Sequence, residues 1–184
     1  MKIMKTMLWV TALVLLSTQL FATRYAKTTL SHLISSSTHI VQGEVVSVES
    51  YWKNAQRNSI YTRVMVSIES PIKGEVGNMV EITLRGGSIG EFSEEIEDTP
   101  QLKAGDKGIF FLIHHRDRYW IHSISLGYYQ ILEESNAVYN QLGTSVVEND
   151  LDLTKVSDAE FQVQYNYNEF LNTVKVYITE AEGN

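Results

Sequence analysis

The chain contains no cysteine. That absence excludes a disulfide framework, a thiol nucleophile and a thiolate metal site. It also excludes lipid attachment to a cysteine behind the N-terminal apolar run. No Asn-x-Ser/Thr sequon occurs, so nothing supports a glycosylated eukaryotic origin. Positive charge is scarce: 15 Lys and Arg stand against 22 Asp and Glu, a net charge of −7. Without clustered basic residues, nucleic acid and anionic lipid are disfavoured as partners. There is no internal repeat, and low complexity is limited to Ser35 to Ser37.

What is present begins with a leader. Lys2 and Lys5 precede the apolar run Met7 to Leu16, and Ser17 to Ala22 closes it with small and polar residues. The run is shorter than the roughly 20 residues that span a bilayer. It reads as a signal peptide, residues 1–22, cleaved near Ala22. The expected setting is the bacterial periplasm or the extracellular space, with no membrane association after cleavage. Removing Lys2 and Lys5 leaves 13 basic against 22 acidic residues, so the mature chain is more acidic still. Its length suffices for one core without covalent staples.

Along the mature chain, Leu30, Leu33 and Ile34 mark a short amphipathic helix. His39 to Glu49 is rich in β-branched residues. In Ser59 to Glu69, Thr62, Val64, Val66 and Ile68 alternate with Arg63, Met65, Ser67 and Glu69, the period of a strand. Met79 to Arg85 alternates again, with Val80, Ile82 and Leu84 expected inside and Glu81, Thr83 and Arg85 outside. Ile109 to Ile113 is a continuous apolar run, expected to be buried on both faces. Arg116-Asp117 reads as a two-residue hairpin turn, and Tyr128 to Leu132 with Ala137 to Tyr139 as a last hairpin. Residues 23–142 are expected to form a β-barrel domain and 143–156 an acidic linker. Ser157-Asp158-Ala159-Glu160 has the form of a capping box. Val163, Tyr167, Phe170, Val174 and Tyr177 follow at spacings of four, three, four and three. Together they predict a helix over 157–180 packed on the barrel.

The stretch Gly86-Gly87-Ser88-Ile89-Gly90 spells G-x-S-x-G, the pattern of a hydrolase nucleophile elbow. A hydrolase reading would use Ser88 as nucleophile, Asp106 as acid, and His114, His115 or His122 as base. The elbow requires a strand-turn-helix within a parallel sheet, whereas the flanking pattern here is antiparallel. The favoured reading is a loop in which glycines provide positive φ and close approach. The loop also lacks the lysine of a phosphate-binding loop. The histidines are not expected to share a metal: His115 and His122 would be about 13 Å apart along the strands. Glu91, Glu94, Glu95, Glu97 and Asp98 form an acidic loop. Asp150 and Asp152 fail the calcium-loop pattern, because Lys155 stands where glycine is needed and Phe161 where glutamate is needed. No cofactor or metal site is expected. The candidate contact residues are Tyr51 and Trp52, read as aromatics in a polar loop, with Ser88, Glu94 and Glu95 in the glycine-rich and acidic loops.

The segments Val41-Gln-Gly-Glu-Val-Val-Ser-Val-Glu49, Ile60-Tyr-Thr-Arg-Val64, Ile72-Lys-Gly74, Gly86-Gly87 with Gly90, and Gly105-Asp-Lys-Gly-Ile-Phe-Phe-Leu112 resemble a series found in small exported bacterial OB-like barrels, loosely akin to netrin/TIMP-type modules. The resemblance covers about residues 39 to 132. It implies a mainly β fold: an OB-like antiparallel barrel of five to seven strands, with a short N-terminal helix and a C-terminal amphipathic helix. TIMP-type inhibition chelates a protease zinc through an N-terminal cysteine, which this chain lacks, and no catalytic residue set transfers. The expected function is a non-enzymatic binding module for an unidentified protein or extracellular ligand. The alternatives are a protease-associated inhibitor or partner acting without cysteine, and a serine hydrolase using Ser88.

Overall fold

The computed structural model describes residues 28–142, 147–148, 150–151, 153, 155–159 and 162–182. The leader over 1–22 and part of the acidic linker lie outside them.

Among the described residues, thirteen strands and two α-helices follow in order: β1 (Thr28–Thr29), α1 (Leu30–Ser36), β2 (His39–Trp52), β3 (Ile60–Lys73), β4 (Met79–Arg85), β5 (Gly87–Ile89), β6 (Phe92–Glu94), β7 (Lys107–His115), β8 (Arg118–Ile121), a 3-10 turn (Ile124–Gly127), β9 (Tyr128–Leu132), β10 (Ala137–Asn140), β11 (Val147–Glu148), β12 (Lys155–Ala159), β13 (Gln162–Asn166) and α2 (Tyr167–Glu182). The fold is mainly β, as expected, with a short N-terminal and a longer C-terminal helix.

Five strands close into a barrel. β7 pairs with β2, β2 with β3 and β3 with β4; β8 joins β4 on one side and β7 on the other. In chain order the ring runs first, second, third, fifth, fourth and back to the first, the connectivity of an OB-like barrel. All pairings in the ring are antiparallel except β4 with β8, which run parallel through the single pair Ile82 and Tyr119. β9, β10, β13 and β12 extend the sheet outward from β7. β7 therefore divides one edge between two neighbours: Gly108 to Phe110 pair with β9, and Leu112 to His115 with β8.

Two hydrophobic cores lie on either side of this wall. The barrel interior holds Val41, Val64, Ile82, Phe110, Leu112 and Tyr128 among others. The outer core holds Leu33, Ile40, Phe111, Tyr129, Phe170 and Val174, where α1 and α2 cover the sheet. Successive residues of β7 alternate between them, which explains why Ile109 to Leu112 are all fully buried. A strand covered on both faces reads as an uninterrupted apolar run.

α1 is capped at both ends. The Thr29 side chain accepts from the His32 amide at 3.2 Å, the usual role of an N-cap hydroxyl. Lys73 Nζ donates to the carbonyls of Ile34 and Ser35 at 2.8 and 3.1 Å, satisfying C-terminal acceptors and favouring the negative end of the dipole.

One boundary differs from the sequence expectation. Residues 155–159 and 162–166 form an antiparallel hairpin, and β13 pairs with β10 from Ala137↔Asn166 to Tyr139↔Gln164. The helix therefore starts at Tyr167, ten residues after the predicted start, and Ser157 is a strand residue. Pairing with β10 outweighs a local capping signal, since propensity is a weak prior against tertiary contact. Phe170, Val174 and Ile178 make the buried stripe of α2.

Candidate functional site

A strap from Gly86 to Asp106 joins β4 to β7 across one end of the barrel. Its ends are fixed by backbone hydrogen bonds: Gly86 N to Ile60 O at 2.9 Å, Gly105 N to Val45 O at 2.8 Å, and Val45 N to Asp106 O at 2.9 Å. Within the strap, β5 and β6 pair as a small hairpin, Gly87↔Glu94 to Ile89↔Phe92.

The glycine stretch is where the hairpin meets the barrel. Thr62 Oγ1 donates to Gly86 O at 2.7 Å. Ser50 Oγ lies 3.1 Å from Thr62 Oγ1 and accepts from Ser88 N at 3.2 Å. The Gly87 backbone lies directly on these two hydroxyls, so that a Cβ there would overlap both Ser50 Oγ and Thr62 Oγ1. Gly86 and Gly87 have φ of 83° and 132°, conformations that glycine adopts without penalty. The two glycines and two hydroxyls form a latch.

Beneath the latched hairpin is a cleft of 430 Å³, within the range of small-ligand sites. Ser50, Thr62, Ser88, Ser93, Glu94 and Glu95 supply polar wall, and Val48, Leu84 and Leu102 supply apolar wall. Glu94 accepts from the Ile60 amide at 2.5 Å, which ties the hairpin to the start of β3. The hairpin also carries Phe92, 64% exposed, whose ring meets Trp52 edge-on at 5.5 Å.

Three of the five sequence candidates, Ser88, Glu94 and Glu95, thus line one cleft, and Trp52 joins them through Phe92. Tyr51 does not. It sits on the outer face of the barrel beside Tyr61 (6.3 Å between centroids), with Arg63 5.3 Å over its ring and Arg118 donating to its hydroxyl at 3.3 Å. The loop assignment for Tyr51 and Trp52 is corrected: both are strand residues, opposite Tyr61 and Ile60. The polar segment after them begins at Lys53. Phe92 was missed because it lies in an acidic stretch with no apolar periodicity; a lone large aromatic there was the available signal.

The hydrolase constellation does not assemble. Ser88 lies in a strand-turn-strand hairpin, and its hydroxyl is 3.0 Å from that of Ser93. Asp106 accepts from the Lys103 amide at 2.9 Å. His122 contacts the hydroxyls of Ser36 and Ser123 at 3.0 and 2.8 Å, and His114 packs against His39 and Tyr119. Among the described residues no group of three or more His, Cys, Asp or Glu is placed to hold a metal, and no helix is long and apolar enough to cross a membrane.

Four of the five histidines meet in two pairs: His32 of α1 with His122, and His39 of β2 with His114 of β7, each with centroids 6.1 Å apart. Burial, then the neighbouring His32, lowers the pKa of His122 below the ordinary histidine value. Burial, then His114, lowers that of His39 against a smaller opposing hydrogen bond at Glu75. The unfolded chain therefore takes up these protons first as pH falls. Stability is complete above the usual histidine pKa and declines as pH drops through it towards the folded values. Thermal melts at about pH 7.5 and about pH 5 should show a fall in Tm, diminished in His122→Gln. An equal fall in that variant would assign the pH dependence elsewhere.

Comparison of the sequence with protein-family models and with curated proteins gives no match.

Proposed function

We propose that this chain is an exported, non-enzymatic binding module that engages a protein or extracellular ligand at the cleft under the glycine-latched hairpin. The observation that carries the reading is the cleft itself: 430 Å³, walled by hydroxyls, two carboxylates and apolar side chains, beside the Trp52–Phe92 pair. Aromatics next to a concave polar wall are the usual anchors of recognition surfaces. The leader run Met7 to Leu16 behind Lys2 and Lys5 supports export to the periplasm or beyond. The likeness to exported OB-like barrels supports a role in which loops on a rigid barrel make the contact.

The test is capture of partners from the exported proteome by the wild-type protein and three variants. Phe92→Ala and Trp52→Ala should each weaken capture about thirtyfold, the loss of roughly 2 kcal/mol typical of an aromatic anchor. Tyr51→Ala, on the outer face, should leave it unchanged. Equal recovery with all three variants would overturn the cleft as the contact surface. A secreted protease recovered at one-to-one stoichiometry, without turnover, would identify the module as an inhibitor.

A further inference from the structure

A second pocket, of 180 Å³, lies on the far side of the strap, between the end of β4 and β8. It shares Leu84, Arg85 and part of the strap with the cleft, but its character is different. Leu84, Trp120 and Ile121 come from the barrel, Ile96 and Pro100 from the strap, and Ile124 from the turn after β8. An apolar cavity of about 150 Å³ is large enough to admit a benzene-sized group. This pocket therefore accepts one ring or a short alkyl chain.

Three independent features mark it as a ligand site. Thr83 is 1% exposed, and its hydroxyl has no hydrogen-bond partner among the described residues. A buried orphan of this kind costs about 1–3 kcal/mol, and Thr83 is part of the pocket wall. Strand alternation places Thr83 outside the barrel, with Arg85 two residues on and on the same face. Arg85 is exposed, and the ion pairs among the described residues belong to Arg63 and Lys107. Its guanidinium is thus without a carboxylate partner among the described residues, at the pocket's lip. Ile124, finally, is a β-branched residue at φ 59°, a backbone outlier for its type, yet its apolar side chain is 47% exposed. Strain of this kind is retained where the surrounding structure or a function requires it.

We infer that this pocket binds a small amphipathic monocarboxylate, with its ring or alkyl chain against Trp120, Leu84 and Ile121 and its carboxylate on Arg85 and the Thr83 hydroxyl. The apolar walls take the chain, the unpaired guanidinium takes the charge, and the orphan hydroxyl gains its missing acceptor. Ile124 covers the bound chain and loses its exposure. This chemistry can come from a free aryl or alkyl acid or from the C-terminal residue of a peptide. The inference does not depend on the cleft reading, because none of its recognition groups involves Trp52, Phe92 or Ser88.

The experiment is a titration of the ¹⁵N-labelled protein with 3-phenylpropionate, hexanoate, N-acetylphenylalanine and the uncharged 3-phenylpropanamide. The Trp120 indole N–H should shift saturably with the acids, with the Trp52 indole as internal reference, and the amide should bind about tenfold more weakly. Tighter binding of N-acetylphenylalanine than of 3-phenylpropionate would assign the peptide source, and the reverse the free acid. Arg85→Gln should make acid and amide equal. Thr83→Val, a replacement of similar shape, should weaken acid binding while Tm stays the same or rises, because an unsatisfied hydroxyl is removed. A purely structural role for Thr83 would give no change in affinity. A Trp120 indole unmoved at about 10 mM acid, a concentration that would reveal even millimolar affinity, overturns the site. Equal binding of acid and amide by the wild type overturns the carboxylate.

Discussion

Gly87→Ala is expected to lower Tm by about 10 °C and to release the β5–β6 hairpin from the barrel. Two costs combine. The new Cβ would overlap the hydroxyls of Ser50 and Thr62, neither of which can withdraw without breaking the chain of hydrogen bonds from Ser88 N through Ser50 and Thr62 to Gly86 O. Overpacking of this kind costs about 1–3 kcal/mol. The backbone at φ 132° adds strain of about 1–3 kcal/mol for a residue with a side chain. At 2–4 °C per kcal/mol for a domain of this size, the sum gives the stated shift. Gly90 is the control. Its φ is 59°, but a Cβ there meets nothing within 4 Å among the described residues, so Gly90→Ala should carry only the backbone part. Thermal melts of the two variants decide the matter. Equal losses at positions 87 and 90 would mean that close approach to Ser50 and Thr62 contributes nothing.

The other large effect is expected at Phe170. This ring is fully buried in α2, 4.7 Å from Tyr129 and 6.2 Å from Tyr165 by centroid. It joins the helix to β9 and β13 in one contact. Phe170→Ala should cost about 3–5 kcal/mol, since it removes a large side chain and leaves a cavity between elements that cannot both close in. That is a large part of the 5–15 kcal/mol available to a typical domain. Because the outer core is continuous with the wall formed by β7, the loss should appear as one cooperative transition at lower denaturant. A separate early transition for the helix, with the barrel midpoint unmoved, would show instead that α2 is an appended element.

The strands of the barrel were legible wherever their residues alternate against a single interior. Met79–Arg85 has the predicted bounds, and the apolar run at Ile109 was recognisable because cover on both faces removes alternation. Two features resisted. Ser157 to Glu160 has the letters of a cap, while Gln162 to Asn166 alternates in a way that serves a strand as well as a helix face. Only the presence of β10 alongside decides between them. At Tyr51 and Trp52 the polar residues that follow suggested a loop, but opposing Tyr61 and Ile60 extend the ladder, because cross-strand aromatic pairs stabilise it. Of the candidate site, the serines and glutamates could be named from a glycine-rich, acidic stretch. Their meeting with Ser50 and Thr62 depends on contacts between residues distant in sequence. Thr83 was least accessible to such reasoning: its alternation places it outside, and it is buried on that outer side in a region closed by a later strand.

The barrel is unevenly fastened. β2 and β3 are matched along nearly their full length, and β7 is paired on both edges, with Gly108 to Leu112 buried on both faces. β4 and β8, by contrast, meet through one pair, Ile82 and Tyr119. Amide hydrogen exchange should follow this asymmetry. The amides of Gly108 to Phe111 in β7 should exchange only through global unfolding, while those of β8, of the β7 end it pairs with and of the end of β4 exchange through small local openings of lower free energy. The ring thus has a clasp, and Thr83 and Trp120 stand on either side of it. A molecule held between them would slow exchange along both strands, so that occupancy would be recorded in the backbone as a tightening of the one joint the barrel leaves loose.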